Sequence, residues 1–455
     1  MQRRQGIFAR VRANALTRSV LLVGTVTILV KGTAAVKDIF LAGVFGRGSE
    51  LEVFLIALLL PAALASIIGE AFAPAITTPL TKLLHKDGAG RRESRAFLGA
   101  ITSFAVAVLL MVSILLWLAS PWLVPVLASG FDDEMREMAV WAMRLLILSI
   151  LFTGIAGLWT AVLAVTGRLG IAAATPVAGP VVMLGFLIVQ QTDATTATLI
   201  KATVVGAAVQ VMVAGWAIWR AGLLSWPSVA RLTGSVKRVL SQYGFVIAGS
   251  SIMALTLIVD MAMAAMLGPG NVAALSFGGK AVILVVSVAI AALGIIILPH
   301  FARVMSSSAQ QSDRLASLHR QVCWSSAWIF LFGGLAAALL VVVAEPLIAL
   351  LLERGEFGAE DTVVVVAVHK MYALQIPCAL MTLIITRALS ALQANQILTV
   401  AAIMNVIVNV ILNYVFSRTM GVSGIALSTA CVTVLSAAFC YVSLRQLVYR
   451  EIRTS

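Results

Sequence analysis

About twelve apolar runs, each as long as the roughly 20 residues a helix needs to cross a bilayer, follow one another along this chain. They lie near 19–45, 51–80, 96–128, 138–166, 171–190, 197–219, 241–267, 273–299, 322–352, 362–392, 397–416 and 422–444. In lipid every backbone amide must be satisfied within the spanning structure, and a helix does this locally. Composition agrees: 61% of residues are hydrophobic, 11% are charged, and the mean hydropathy is +1.04. A soluble chain carries about 25% charged residues. The expected fold class is therefore an all-α polytopic membrane protein. Runs longer than the bilayer predict tilted helices. Pro61, Pro74, Pro176, Pro180 and Pro377 fall inside runs and predict kinks.

The net charge of +13 would suggest nucleic acid in a soluble protein. In a membrane chain it reads as basic cytoplasmic loops, and no nucleic-acid partner is expected. With the N-terminus inside, the inner segments collect the basic residues of 3–18, 82–95, 231–238, 303–320 and 445–453, together with Arg168 and Arg220. The outer segments hold only Arg47, Arg136, Arg354 and Arg418, within or beside acidic loops such as "SGFDDEMRE" and "ERGEFGAED". That bias predicts both termini in the cytoplasm. "MQRRQGIFARVRANALTRSV" leads into an apolar run too long for a cleaved signal and is read as the start of the first span. Cys323, Cys378, Cys431 and Cys440 show no CxxC spacing, are assigned no histidine partner, and are read as packing residues.

The chain also repeats. "DIFLAGVFGRG" from Asp38 matches "DMAMAAMLGPG" from Asp260 at an offset of 222, and "PWLVPVLASG" from Pro121 matches "PLIALLLERG" from Pro346 at 225. These offsets predict two parallel six-helix bundles, 1–220 and 241–455, joined by a cytoplasmic linker at 221–240. Transporters built from such repeats bind their cargo near the midplane.

Charges inside spans are costly and usually functional. Lys31, Lys37 and Asp38 lie in the first run, Glu52 and Glu70 in the second, and Lys280 in the eighth. Lys31 and Asp38, seven residues apart, share a helix face. Lysines from both halves predict a cationic site for an anionic, phosphate-bearing cargo. The alternative is that Lys31 merely neutralises Asp38 or Glu70. Asp260 stands apart from this group. Asn405, Asn409 and Asn413 recur at four-residue spacing, and Thr429 follows near Gly421 and Gly424. Hard oxygen ligands of this kind suit sodium, or Asp260 could carry a proton. The alternative is an asparagine ladder joining helices. No other cofactor is expected. There is no phosphate-cradling loop and no histidine cluster, so the chain reads as a transporter and not an enzyme.

"VKDIFLAGVFGRGSELEVFLIALLLP", "LLERGEFGAEDT", "YALQIPCALMTLIITRALSALQ" and "NVILNYVFSRTMGVSGIALSTA" resemble the MurJ (MviN) lipid II flippases of the multidrug/oligosaccharidyl-lipid/polysaccharide exporter superfamily. The resemblance covers essentially the whole chain. It implies two six-helix bundles forming a V-shaped cavity, and a polyprenyl-diphosphate saccharide as cargo. By resemblance Lys31, Lys37 and Lys280 stand at arginines that meet the cargo, and Glu52 replaces an aspartate. Asp260, Asn409, Asn413 and Thr429 fall at the family's sodium site, with one aspartate changed to asparagine. Two departures bear on cargo. A helix 2 arginine of the family falls at Ala65, and the sequence ends after the twelfth run where lipid II flippases carry about two more helices.

The expected function is a bacterial inner-membrane flippase working by alternating access, carrying an exopolysaccharide or other envelope glycan unit. Lipid II is the alternative cargo, and a multidrug/cation antiporter or a non-catalytic scaffold are the further alternatives. The expected partners are the lipid-linked saccharide, membrane lipid, and glycosyltransferases and a polymerase of a glycan pathway.

Overall fold

The computed structural model describes residues 2–84, 90–190, 193–224, 251–252, 254–305 and 311–454. Among these the chain is helical throughout, with an isolated bridge between Arg354 and Phe357. The helices are α1 (Gln2–Phe45), α2 (Ser49–Leu84), α3 (Gly90–Leu127), α4 (Asp133–Val165), α5 (Leu169–Ala174), α6 (Ala178–Val189) and α7 (Thr196–Arg220). They continue as α8 (Ala254–Met266), α9 (Asn271–Met305), α10 (Gln311–Val342), α11 (Ala344–Leu352), α12 (Ala359–Ala373), α13 (Ile376–Ala391), α14 (Asn395–Met420) and α15 (Val422–Thr454).

Ten segments of the described residues are long and apolar enough to span a membrane. The first apolar run lies within the 44-residue α1, and α8 covers the described part of the seventh. Proline decides where three runs break. Pro176 sits in a 3-10 turn between α5 and α6, Pro346 in the first turn of α11, and Pro377 at the start of α13. Each occupies a position where its missing N–H costs nothing. Pro121 and Pro125, by contrast, lie inside α3. The segment expected as a linker lies outside the described residues from 225 onward.

The chain divides into two compact units. The first comprises Met1–Val44, Val53–Val126 and Asp132–Ser251; the second comprises Phe45–Glu52, Leu127–Phe131 and Ile252–Ser455. In the first unit α4 packs along α7, which also packs along α6. Gly154 lets Leu109 close onto α4, since a Cβ there would sit 2.6 Å from the Leu109 methyl. In the second, α10, α13 and α15 share a core that includes Phe301, Leu318, Val322, Ile385, Leu389 and Leu444. The surface is apolar as lipid requires: Trp122 on α3 is 73% exposed and Val342 on α10 is 77% exposed.

The repeat recurs as backbone geometry. Gly46 and Gly268, at the same offset of 222, both take positive φ (53° and 97°), and helices begin at Ser49 and Asn271. Gly167 and Gln393, 226 apart, form the next such pair, at φ 79° and 57°. Gln393 is the non-glycine residue with positive φ among the described residues.

Candidate functional site

Helix α1 carries Lys31, Lys37 and Asp38 within the first unit. Asp38 is buried and pairs with its chain neighbour: Lys37 Nζ lies 2.6 Å from Asp38 Oδ1. The expected partner on its own helix face, Lys31, is half-buried. Adjacent residues on a helix do not face each other, so the pair depends on the long Lys37 side chain folding back. The Glu70 side chain lies outside the described residues. Lys280 is on α9 in the second unit and is exposed. A further cation inside a span escaped the sequence reading. Arg144, on α4, stacks over the Trp117 ring at 4.7 Å and donates to Ser120 Oγ at 3.2 Å. An arginine within an apolar run was the signal for it.

Glu52, expected among the substrate ligands, is fully buried in the second unit. Its Oε1 accepts from the Ala273 backbone N–H at 3.0 Å. The first turn of α9 contains no acid of its own. Orphan amides and the positive end of the helix dipole draw a carboxylate to that place. The role seen here is a helix cap supplied from α2.

The turn just before Glu52 explains the "ERGEFGAED" stretch. Arg47 Nε donates to Asp361 Oδ1 at 2.6 Å. Asp361 Oδ2 accepts from the Gly358 N–H at 3.1 Å, which caps α12. Glu353 Oε2 accepts from Thr362 Oγ1 at 2.9 Å. Phe357 is buried, edge-on to Phe277 with ring centres 5.9 Å apart. Gly46 has positive φ and lies against the Glu356 carbonyl, so any side chain there would collide with backbone. Glu353 and Asp361, read as outer-loop charge, are thus fastened into a folded turn.

Asp260 on α8 sits at the centre of a buried polar set. Its Oδ1 accepts from Asn409 Nδ2 at 2.9 Å and from Asn413 Nδ2 at 2.7 Å. Its Oδ2 accepts from Thr429 Oγ1 at 3.1 Å. Asp260 is 3% exposed and both asparagines are fully buried. The structure thus brings together all four residues expected here. Asn405 parts from the asparagine face and donates to Ser436 Oγ at 3.1 Å instead. Tyr372, which sequence reading missed, is buried close to Asp260 and Thr429. An apolar run supplying one tyrosine gave no distinguishing signal. The break between α14 and α15 is the single residue Gly421, at φ 60°.

Two other titratable groups are placed by packing. His369 on α12 is buried and donates from Nδ1 to the Gly278 carbonyl at 2.9 Å. That approach needs glycine, since a Cβ at Gly278 would sit 2.6 Å from Val368 Cγ1. Cys323, assigned no histidine partner from sequence, has its Sγ 3.8 Å from His319, one helical turn earlier, and 3.5 Å from the Tyr441 hydroxyl.

The family model described as "Lipid II flippase MurJ" matches residues 41–453. The lipid II flippase MurJ of Burkholderia cenocepacia is 25% identical over 442 residues, covering 95% of this chain and 84% of that protein. The probable lipid II flippase MurJ of Synechocystis is 26% identical, covering 91% of this chain and 79% of its own length. Among solved structures, a lipid II flippase MurJ in an inward closed conformation superposes with a TM-score of 0.74 at 18% identity, covering 93% of this chain and 87% of that one. An inward-facing multidrug resistance MATE transporter of the MOP superfamily superposes with a TM-score of 0.71 at 13% identity, covering 96% and 99%. At such identities these superpositions show a shared fold. With the match running through nearly all of its helices, the chain belongs to the MurJ lipid II flippase family, whose members are transporters and not enzymes.

Proposed function

We propose that this protein translocates lipid II, a polyprenyl-diphosphate saccharide, across the bacterial inner membrane by alternating access. The observation that carries the cargo is the family match over residues 41–453. Curated relatives aligned over more than 90% of this chain are named for that cargo. This favours lipid II over the exopolysaccharide unit that Ala65 and the number of apolar runs suggested. The partners this reading implies are enzymes that build and polymerise the saccharide.

Lys31 and Lys37 on α1 and Lys280 on α9 are the cations we assign to the diphosphate. Lysine offers a point charge that binds phosphate without fixed geometry. Lys37 is partly engaged by Asp38 at 2.6 Å, so the diphosphate competes with a carboxylate for it and can be released again. A drug-cation exporter would instead expose acids, and Glu52 and Asp260 are both closed off from solvent.

The test uses proteoliposomes holding fluorescent lipid II or a fluorescent polyprenyl-diphosphate exopolysaccharide unit. Lipid II should flip at least tenfold faster than in vesicles without protein and faster than the other lipid. Flipping of the exopolysaccharide unit alone would restore the other cargo, and flipping of neither would overturn the reading.

A further inference from the structure

Resemblance implies sodium at the Asp260 set, and the geometry there answers that implication. A hard cation takes about six oxygen ligands. Asn409 and Asn413 both present their nitrogens to Asp260 Oδ1, at 2.9 and 2.7 Å. An amide nitrogen that donates a hydrogen bond cannot ligate a cation. The Asn409 oxygen is in use as well, accepting from Asn413 Nδ2 at 3.3 Å. Among the described residues the side chains bonded to Asp260 are Asn413, Asn409 and Thr429, all neutral. A cation would therefore meet one formal negative charge whose two oxygens already accept three hydrogen bonds.

The orientation of Asn413 is informative in itself. Asn413 is fully buried, and its Oδ1 has no hydrogen-bond partner among the described residues. A buried acceptor left unpaired is destabilising. The amide accepts that cost in order to place its nitrogen on the carboxylate. Buried charge must be matched by a countercharge or by converging dipoles, and here the dipoles are in place.

We propose that Asn413 stands in for the cation, so that the second unit holds Asp260 in place without sodium and this protein folds and works independently of it. The inference rests on side chains within one unit and not on the identity of the cargo.

The test measures thermal unfolding of the purified full-length protein in detergent, in NaCl and in KCl at equal ionic strength. Equilibrium dialysis with radioactive sodium runs in parallel. The wild-type midpoint should be the same in both salts, with no saturable sodium binding. Asn413→Asp places a second carboxylate against the first and should gain a sodium-specific rise of about 2–4 °C. A sodium-specific shift or saturable binding in the wild type overturns the proposal. A folded Asn413→Asp variant indifferent to sodium also overturns it, because Asn413 would then not be what replaces the cation. Should that variant fold only in sodium, the proposal is supported. Should it fold in neither salt, the dialysis on the wild type decides.

Discussion

Glu52 Oε1 accepts a hydrogen bond from the Ala273 N–H at 3.0 Å, so an acid on α2 closes the N-terminus of α9, which begins 219 positions later at Asn271. A partly buried charge at a helix end is worth up to about 2 kcal/mol. Glu52→Gln should lower stability by about 1–2 kcal/mol, seen as a fall in the thermal midpoint of the purified protein. Glu52→Ala should cost more, because it strands buried amides. Equal midpoints for all three proteins would remove the cap from the account.

Arg47 and Asp361 are joined at 2.6 Å with side chains 20% and 18% exposed. A charge-assisted bond at that depth should show a coupling of about 1–2 kcal/mol in a double-mutant cycle of Arg47→Gln and Asp361→Asn. Asp361→Asn alone should cost more than Arg47→Gln, since Asp361 also caps α12 through Gly358. Additive effects would mean the contact contributes nothing.

Lys37 and Lys280 can be separated as cargo ligands from structural charges. Lys37→Ala removes the 2.6 Å ion pair that buried Asp38 makes with it and should destabilise as well as stop transport. Lys37→Ala with Asp38→Asn should recover the thermal midpoint but not lipid II flipping. Lys280 is exposed; Lys280→Ala should lose at least tenfold in flipping, with Lys280→Arg active. Wild-type flipping by the double variant and by Lys280→Ala would remove both lysines from the site.

Gln393 holds φ 57°, where its counterpart in the first half is Gly167. A side chain in the left-handed region costs about 1–2 kcal/mol, offset in part by the extra unfolded-state freedom of glycine. Gln393→Gly should therefore stabilise by about 0.5–1 kcal/mol, read as a higher thermal midpoint. A lower midpoint would show that the glutamine side chain contributes contacts worth more than the strain.

The charge bias predicts Ser129 and Ser417 outside and Lys82 and Glu451 inside. In a cysteine-free background, single cysteines at the first two should react with a membrane-impermeant maleimide added to spheroplasts. Cysteines at the last two should react only after lysis. The reverse pattern would invert the topology.

The membrane-spanning architecture was legible in the sequence because hydrophobic length is a local property. About 20 apolar residues need no partner to declare a span. Pro176 and Pro377 marked helix breaks for the same reason, whereas Pro61 and Pro74 lie within the continuous α2 and Pro180 within α6, and the glycine turn of the repeat could be read from nearly equal offsets. Asp260, Asn409, Asn413 and Thr429 could be gathered as one set because few polar residues occur in those runs and each needs a partner in lipid.

What each polar group does was decided only by tertiary structure. Glu52 and Ala273 are 221 residues apart and Arg47 and Asp361 are 314 apart. No local pattern distinguishes a capping acid from a cargo ligand, because the same carboxylate serves both uses. The asparagines show this most clearly. An amide carries a donor and an acceptor in one residue, so its letter is compatible with a cation ligand or with a cation substitute. The choice is made by a carboxylate 153 residues away, whose charge turns the Asn413 nitrogen toward it and leaves the oxygen behind.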